Sequence, residues 1–272
     1  MIFLQWKPRA ELQPFIEHFI FHRDYFPDHS KEMILPDGGI DLIIDLTDIP
    51  KFLYDNENFD HCTGFKFGWI SGVHSGRITI QAGLGSPMIV IRFKPGGAWA
   101  FFGFPLTEIR DHVEALEAIW GRVFEELRDR LLEEPDVQAY PGILERFFLI
   151  HGRDRLVANP FVEFAIDMMT HAHEPPTMRH LAEKIGYSQK HMIALFEKLV
   201  GMSPKRYARI MRFQKLIHAL EGGTPPSWSR FAQGYGFYDQ AHLIREFRAF
   251  SGLTPTRYLV RKGDLLNYLP VT

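Results

Sequence analysis

The chain changes its hydrophobic rhythm twice along its length. Between residues 31 and 100, short apolar runs alternate with Gly, Pro and Asn/Asp signals, the pattern of strands and turns. The turn Pro36-Asp37-Gly38-Gly39 leads into the apolar run Ile40 to Leu46. Further strands are expected at Phe52–Tyr54, Phe65–Ser71, Arg77–Ala82 and Met88–Phe93. Strands of this length and spacing predict a β-barrel-like domain or a sandwich. On either side the period is nearer that of a helix. Leu12, Phe15, Ile16 and Phe19 predict a short helix over 10–22. Leu106, Ile109, Val113, Leu116, Val123, Leu127 and Leu131 predict an amphipathic helix over 106–134, stopped by Pro135. Another is expected near 137–150, with Pro141 in its first turn. Lys94-Pro95-Gly96-Gly97-Ala98 reads as a sharp turn into a helix, since the context of a phosphate-binding glycine loop is missing.

After a polar linker at 151–159 the helical period persists, and a small pattern occurs twice. The first copy runs through Leu181-Ala182, Gly186-Tyr187 and Gly201-Met202-Ser203-Pro204. The second runs through Phe231-Ala232, Gly236-Phe237 and Gly252-Leu253-Thr254-Pro255. The offset of about fifty residues is that of a duplicated supersecondary unit. Each copy predicts helix, tight turn, helix, with Thr177 and Ser188 capping the first pair and Ser227 opening the second. Gly186 and Gly236 are expected at positive φ in the turns. Met192, Leu195, Phe196 and Leu199 share one face of the first copy's second helix, with Leu243, Phe247 and Phe250 their counterparts. A helix with one dry face and one free face can enter a major groove. A long helix over 203–221 joins the units and carries Lys205, Arg206, Arg209, Arg212 and Lys215.

These paired turns, the two Gly-x-Ser/Thr-Pro endings and the block Gly236-Phe237-Tyr238-Asp239-Gln240-Ala241-His242-Leu243 resemble the DNA-binding domain of the AraC/XylS family of transcription regulators. The resemblance covers residues 160–262. It implies that the two second helices enter successive major grooves, about 34 Å apart. The implied base-facing residues are Lys190, Ile193 and Ala194 in the first unit and Gln240, His242 and Arg245 in the second. Arg245 suits guanine and Gln240 suits adenine, whereas Ile193 and Ala194 can only touch a thymine methyl. His191, Arg248, Lys205 and Arg206 complete the expected DNA-contacting set. More loosely, the Leu-Pro-Asp-Gly turn and the Arg-Phe-Lys-Pro-Gly-Gly-Ala segment resemble an uncharacterised N-terminal domain that precedes many AraC-type DNA-binding domains.

The expected fold is therefore α+β. Residues 1–158 form a β-barrel-like regulatory domain with trailing helices, and residues 159–272 form an all-α domain of two helix-turn-helix units. Charge divides the same way. Residues 160–272 hold 15 Lys+Arg against 9 Asp+Glu, and residues 1–159 hold 16 against 24, for a net charge of -2. A basic C-terminal part suits DNA. The single cysteine, Cys62, excludes an internal disulfide and a multi-cysteine zinc site, and fits a reducing cytoplasm. No signal peptide is apparent. No apolar stretch approaches the roughly 20 residues needed to span a bilayer.

No metal and no cofactor is expected. His18 and His22, four apart on the expected helix, lack a third ligand. The expected partners are double-stranded DNA, a small-molecule effector, a second copy of the chain and, for an activator, RNA polymerase. An effector site is expected near Trp69, Arg92, Phe93 and Trp99. The competing reading is a cupin-like metal-dependent enzyme fused to a helical domain, against which the spacing of His61 and His74 speaks, while His171-Ala-His173 has the dyad but in a helical segment beside Pro175. A third is a DNA-repair protein with an alkyl-accepting cysteine, for which Cys62 lacks the setting.

Overall fold

The structure is a computed structural model that describes residues 1–171, 179, 182, 186, 188–225, 227–263 and 265–271. Two antiparallel sheets make the N-terminal part. The first has the order β1-β2-β9-β4-β7-β10, with β1 at Ile2–Trp6, β2 at Ile16–Arg23, β4 at Ile40–Asp45, β7 at Gly68–Ser71, β9 at Met88–Phe93 and β10 at Val113–Ala115. The second has the order β11-β3-β8-β5-β6, with β3 at Lys31–Ile34, β5 at Lys51–Tyr54, β6 at Cys62–Phe65, β8 at Ile78–Gln81 and β11 at Tyr268–Val271. They do not close into a barrel, one of the two arrangements, barrel or sandwich, that strand spacing suggested.

Several expected elements change for physical reasons. The helix over 10–22 is a turn followed by strand β2. Leu12, Phe15 and Ile16 bury one turn, in which Ile16 N–H donates to the Leu12 carbonyl. Phe19 and Phe21 then alternate inward with period two. His18 and His22 thus lie on a strand. The expected strand Phe65–Ser71 breaks at Phe67, whose φ is 63°, so that β6 and β7 join different sheets. The helix over 106–134 divides into a 3-10 turn at Leu106–Ile109, strand β10, and two helices, α2 at Leu116–Trp120 and α3 at Arg122–Glu133. Gly121, at φ 51°, separates the last two. The turn after β9 enters the short helix α1 at Trp99–Phe102, and α4 occupies Tyr140–Gly152 with Pro141 in its first turn. Phe19, Phe93 and Phe101 of the sheet and α1 pack around Phe148 of α4.

The C-terminal helices are α5 at Pro160–His171, α6 at Gln189–Val200, α7 at Pro204–Leu220, α8 at Trp228–Gly234, α9 at Gln240–Ser251 and α10 at Pro255–Arg261. The helix expected around Leu181 and Ile185, its cap Thr177, and also Tyr187 and His173, lie outside the described residues. After α10 the chain returns to the N-terminal part. Strand β11 pairs with β3, with Leu269 opposite Met33 and Pro270 opposite Glu32. Proline is tolerated there because β11 is an edge strand. Buried Gln214 of α7 donates to the Pro36 carbonyl and to Asn267 Oδ1, both at 2.9 Å. The Pro36–Gly39 turn is pressed against the same helix. A Cβ at Gly38, which has φ 77°, would stand 2.8 Å from the Tyr207 ring.

Candidate nucleic-acid interface

The two helix-turn-helix units are built by matched local devices. Ser188 caps α6 by accepting from His191 N–H, and Asp239 caps α9 by accepting from His242 N–H. Gly201 and Gly252 end the two helices at φ 91° and 72°, where a left-handed conformation suits glycine. Ser203-Pro204 and Thr254-Pro255 then cap the following helices, α7 and α10. In the turns Gly186 has φ 78° and Gly236 has φ 73°. Met192, Phe196 and Leu199 are buried on α6, and Leu243, Phe247 and Phe250 on α9.

The caps fix the register between the units at 51 residues, one more than the spacing of the turn glycines, because the second turn holds an extra residue. Ala194 is thereby equivalent to Arg245, Glu197 to Arg248, and Gln189 to Gln240. Gln189 is exposed in the first helical position and was missed in the sequence because the turns differ in length. Lys190, His191, Ala194, Gln240, Arg245 and Arg248 are exposed, whereas Ile193 is half-buried. His242 is half-buried as well. Its Nδ1 accepts from Tyr238 N–H at 3.3 Å, and its ring meets Phe237 edge to face. His242 therefore also braces the turn it follows.

The basic stripe of α7 divides by partner. Arg209 forms two hydrogen bonds with Glu246 of α9, at 2.8 and 2.7 Å, and these hold the Glu246 carboxyl below the usual carboxylate range. Arg212 donates to the Gly236 carbonyl and lies over the Phe237 ring. Arg206 donates to the Ser75 carbonyl of the N-terminal part. Lys205 is exposed.

The N-terminal candidates do not form one site. Trp69 and Arg92 share a face of the first sheet, near Ile43 and Asp41, whereas Phe93 points to the opposite face and is fully buried. Arg92 is clamped by Asp37 and Asp41. Burial works against its charge, but the two carboxylates outweigh that and hold the guanidinium protonated. Trp99 lies on α1 with Lys198 of α6 over its ring. Among the described residues no three His, Cys, Asp or Glu side chains converge as metal ligands. Among the same residues no helix is long and apolar enough to cross a membrane.

Comparison with known proteins matches two separate stretches of the chain. Residues 181–261 match the family described as "Helix-turn-helix domain", and residues 4–115 match one described as "Domain of unknown function (DUF6597)". The C-terminal region is a helix-turn-helix domain of the AraC type. The probable thc operon regulatory protein of Rhodococcus erythropolis is 29% identical over 101 residues, covering 36% of this chain and 30% of that protein. The multiple antibiotic resistance protein MarA of Salmonella typhimurium is 28% identical over 99 residues, covering 36% of this chain and 77% of MarA. Crystal structures of ToxT from Vibrio cholerae cover 89% of this chain at 10% identity and 98% of their own. Their TM-scores are 0.44 for one form and 0.47 for a complex with (E)-4-(8-methylnaphthalen-1-yl)but-3-enoic acid.

Proposed function

We propose that the protein is a sequence-specific transcription regulator that reads duplex DNA with α6 and α9, under the control of its N-terminal part. One observation carries the reading. Both reading helices abut the N-terminal part at their C-terminal ends, while their polar N-terminal ends are exposed. Gly201 lies against Val73 and Leu106, and Gly252 against Arg77. At 1.5 Å per residue, a helix of 12 residues carries its first turn about 15 Å from that contact. Helix-turn-helix proteins place the N-terminal residues of the recognition helix against base edges. Gln189, Lys190 and Gln240 hold those places here, with Ala194 and Arg245 a turn further along, Arg248 in the last turn of α9, and Lys205 and His191 positioned for the backbone. On this reading the chain has no enzymatic role, acts in the cytoplasm, and takes as further partners a small-molecule effector, a second copy of itself and, as an activator, RNA polymerase.

Selection of bound duplexes from a random pool by the full chain tests the reading. An enriched motif with two half-sites about 10 base pairs apart is expected, with affinity that falls steeply with salt. Absence of salt-sensitive duplex binding at micromolar protein overturns it.

A further inference from the structure

Strand β11 follows the helix-turn-helix units in sequence but lies in the N-terminal part, at the edge of the second sheet. Its hold there is slight. It pairs with β3 over four residues, whereas β2 pairs with β9 over six. Pro270 has no N–H to give the ladder, and Leu269 is the one residue of β11 that is buried. Burial of one leucine favours attachment by about 10- to 100-fold, and the ordering of the strand works against it. Phe19 and Phe21 of β2, by contrast, are buried with Ile89 and Ile91 of β9.

The residue before β11 is tied to α7. Asn267, at φ 67°, exchanges two hydrogen bonds with the Gln214 amide. Gln214 Nε2 donates to Asn267 Oδ1 at 2.9 Å, and Asn267 Nδ2 donates to Gln214 Oε1 at 3.2 Å. Leu35 N–H donates to the Asn267 carbonyl. Gln214 also donates to the Pro36 carbonyl, and Tyr207, two turns earlier on α7, stands against Gly38. Attached β11 therefore helps pin the helix that joins the two reading units to the turn after β3.

We propose that β11 is a releasable strap that, when closed, holds both helix-turn-helix units in one arrangement on the N-terminal part and lowers their affinity for duplex DNA. Closed, α7 is held at Tyr207 and Gln214, and the loop after β7 meets the two units at Gly201 and Gly252. The units then cannot adjust to one another, and a duplex that must bend to fit them binds less tightly. Release of β11 removes that constraint with both cores intact, and the open form is the minor state that DNA selects. The effect on DNA rests on the function proposed above, whereas the release itself does not.

Hydrogen exchange on the full chain without DNA tests the release. The amides of Leu269 and Val271 should exchange about 100-fold or more faster than those of Phe19 and Phe21, and Leu269→Asp should speed the β11 amides further while β2 stays protected. One common rate for β11 and β2 would mean that the strap leaves only when the chain unfolds, and overturns the proposal. Tethering tests the effect on DNA. Tyr268 faces Ile34 across the ladder, and Cα atoms so paired lie about 4.5–5.5 Å apart, within disulfide reach. The variant Ile34→Cys/Tyr268→Cys, with Cys62→Ser to remove the one native thiol, is compared oxidised and reduced by DNA anisotropy. Oxidation should weaken duplex binding about tenfold, a usual size for coupled sites, and Leu269→Asp should strengthen it. Equal affinity in the two redox forms, or tighter binding when oxidised, overturns the proposal. Duplex binding by none of the forms, wild type included, would sink the function proposed above and the effect on DNA with it, while hydrogen exchange still decides the release.

Discussion

The guanidinium of Arg206 donates to the carbonyl of Ser75 at 2.6 Å, across 131 residues of sequence. Arg206 lies in the first turn of α7, the helix that joins the two reading units. Ser75 lies in the loop after β7. Two neighbouring contacts converge on the same loop, since Gly201 approaches Val73 and Gly252 approaches Arg77. Arg77 N–H also donates to the Phe250 carbonyl at 3.0 Å. One loop of the N-terminal part thus touches both helix-turn-helix units at equivalent positions, and movement of that loop would reach both reading helices together.

Arg206 and Lys205 are adjacent in sequence and should behave differently. Arg206→Ala removes a charged hydrogen bond at a half-buried site and should cost about 1.5–3 kcal/mol of stability in urea unfolding. Its DNA affinity should keep the wild-type dependence on salt. Lys205→Ala should leave stability unchanged and make the salt slope shallower by about one. A salt slope altered by Arg206→Ala and not by Lys205→Ala would reverse these roles.

The same loop titrates. Burial lowers the His74 imidazole from 6.5 to about 4, against the opposing pull of Asp111 and Asp37 and with His112 adding to the depression. Ser71 Oγ stands 2.9 Å from His74 Nε2, a contact that suits a neutral ring accepting from the hydroxyl. A lowered pKa means the folded state prefers the neutral form. The stabilisation is full above 6.5, where both states are neutral, and is lost as the pH falls towards about 4, because the unfolded chain takes the proton first. Between pH 7 and 4.5 the wild type should lose about 2 kcal/mol more than His74→Gln in urea unfolding. Equal losses in the two proteins would show that His74 is not the group responsible.

The reading half was legible in the sequence because its signals are local. Cap residues, turn glycines and the buried triplets Met192/Phe196/Leu199 and Leu243/Phe247/Phe250 each lie within one helix length. The N-terminal half depends on pairing between distant segments. Strand β2 was mistaken for a helix because Leu12, Phe15, Ile16 and Phe19 mix a helical turn with the start of a strand. Strand β10 was absorbed into a helix because Val113 and Leu116 fit a helical stripe. Its pairing with Trp69 and Ser71 cannot be seen locally. Strand β11 gave least signal of all, four residues with a proline, and only the β3 edge makes it a strand. The division of α7 between exposed and inward-bonded cations was hidden for the same reason, since Ser75 and Glu246 are far from their arginines in sequence.

The glycines that end and turn the reading units separate backbone strain from contact. Gly236 has φ 73° with open space where a Cβ would go, so Gly236→Ala should cost only the left-handed penalty, about 1 kcal/mol. Gly201 has φ 91°, and a Cβ there would stand 2.7 Å from Val73 and 3.0 Å from the Leu106 carbonyl. Gly201→Ala should cost that penalty and a further 1–3 kcal/mol, roughly the range for overpacking. Thermal unfolding of the two variants decides the point. Equal effects would mean that the approach of α6 to the N-terminal part is looser than this structure shows.

The two reading helices should contribute unequally to sequence preference. In equivalent positions α9 presents Arg245 and Arg248 where α6 presents Ala194 and Glu197. An arginine bidentate to guanine discriminates by about 1–3 kcal/mol, and an alanine can only touch a thymine methyl. Arg245→Ala should therefore lose preference at one or two base pairs of one half-site and retain non-specific binding. Lys190→Ala should weaken all sequences by similar factors, with a shallower salt slope, if its ammonium meets phosphate. Gln189 and Gln240 occupy the same helical position, so Gln189→Ala and Gln240→Ala should each relax the corresponding base pair of their own half-site. Selection from random duplexes with wild type and the four variants reads all of this at once. A motif that survives Arg245→Ala and disappears with Lys190→Ala would make α6 the specific reader and α9 the one that grips the backbone.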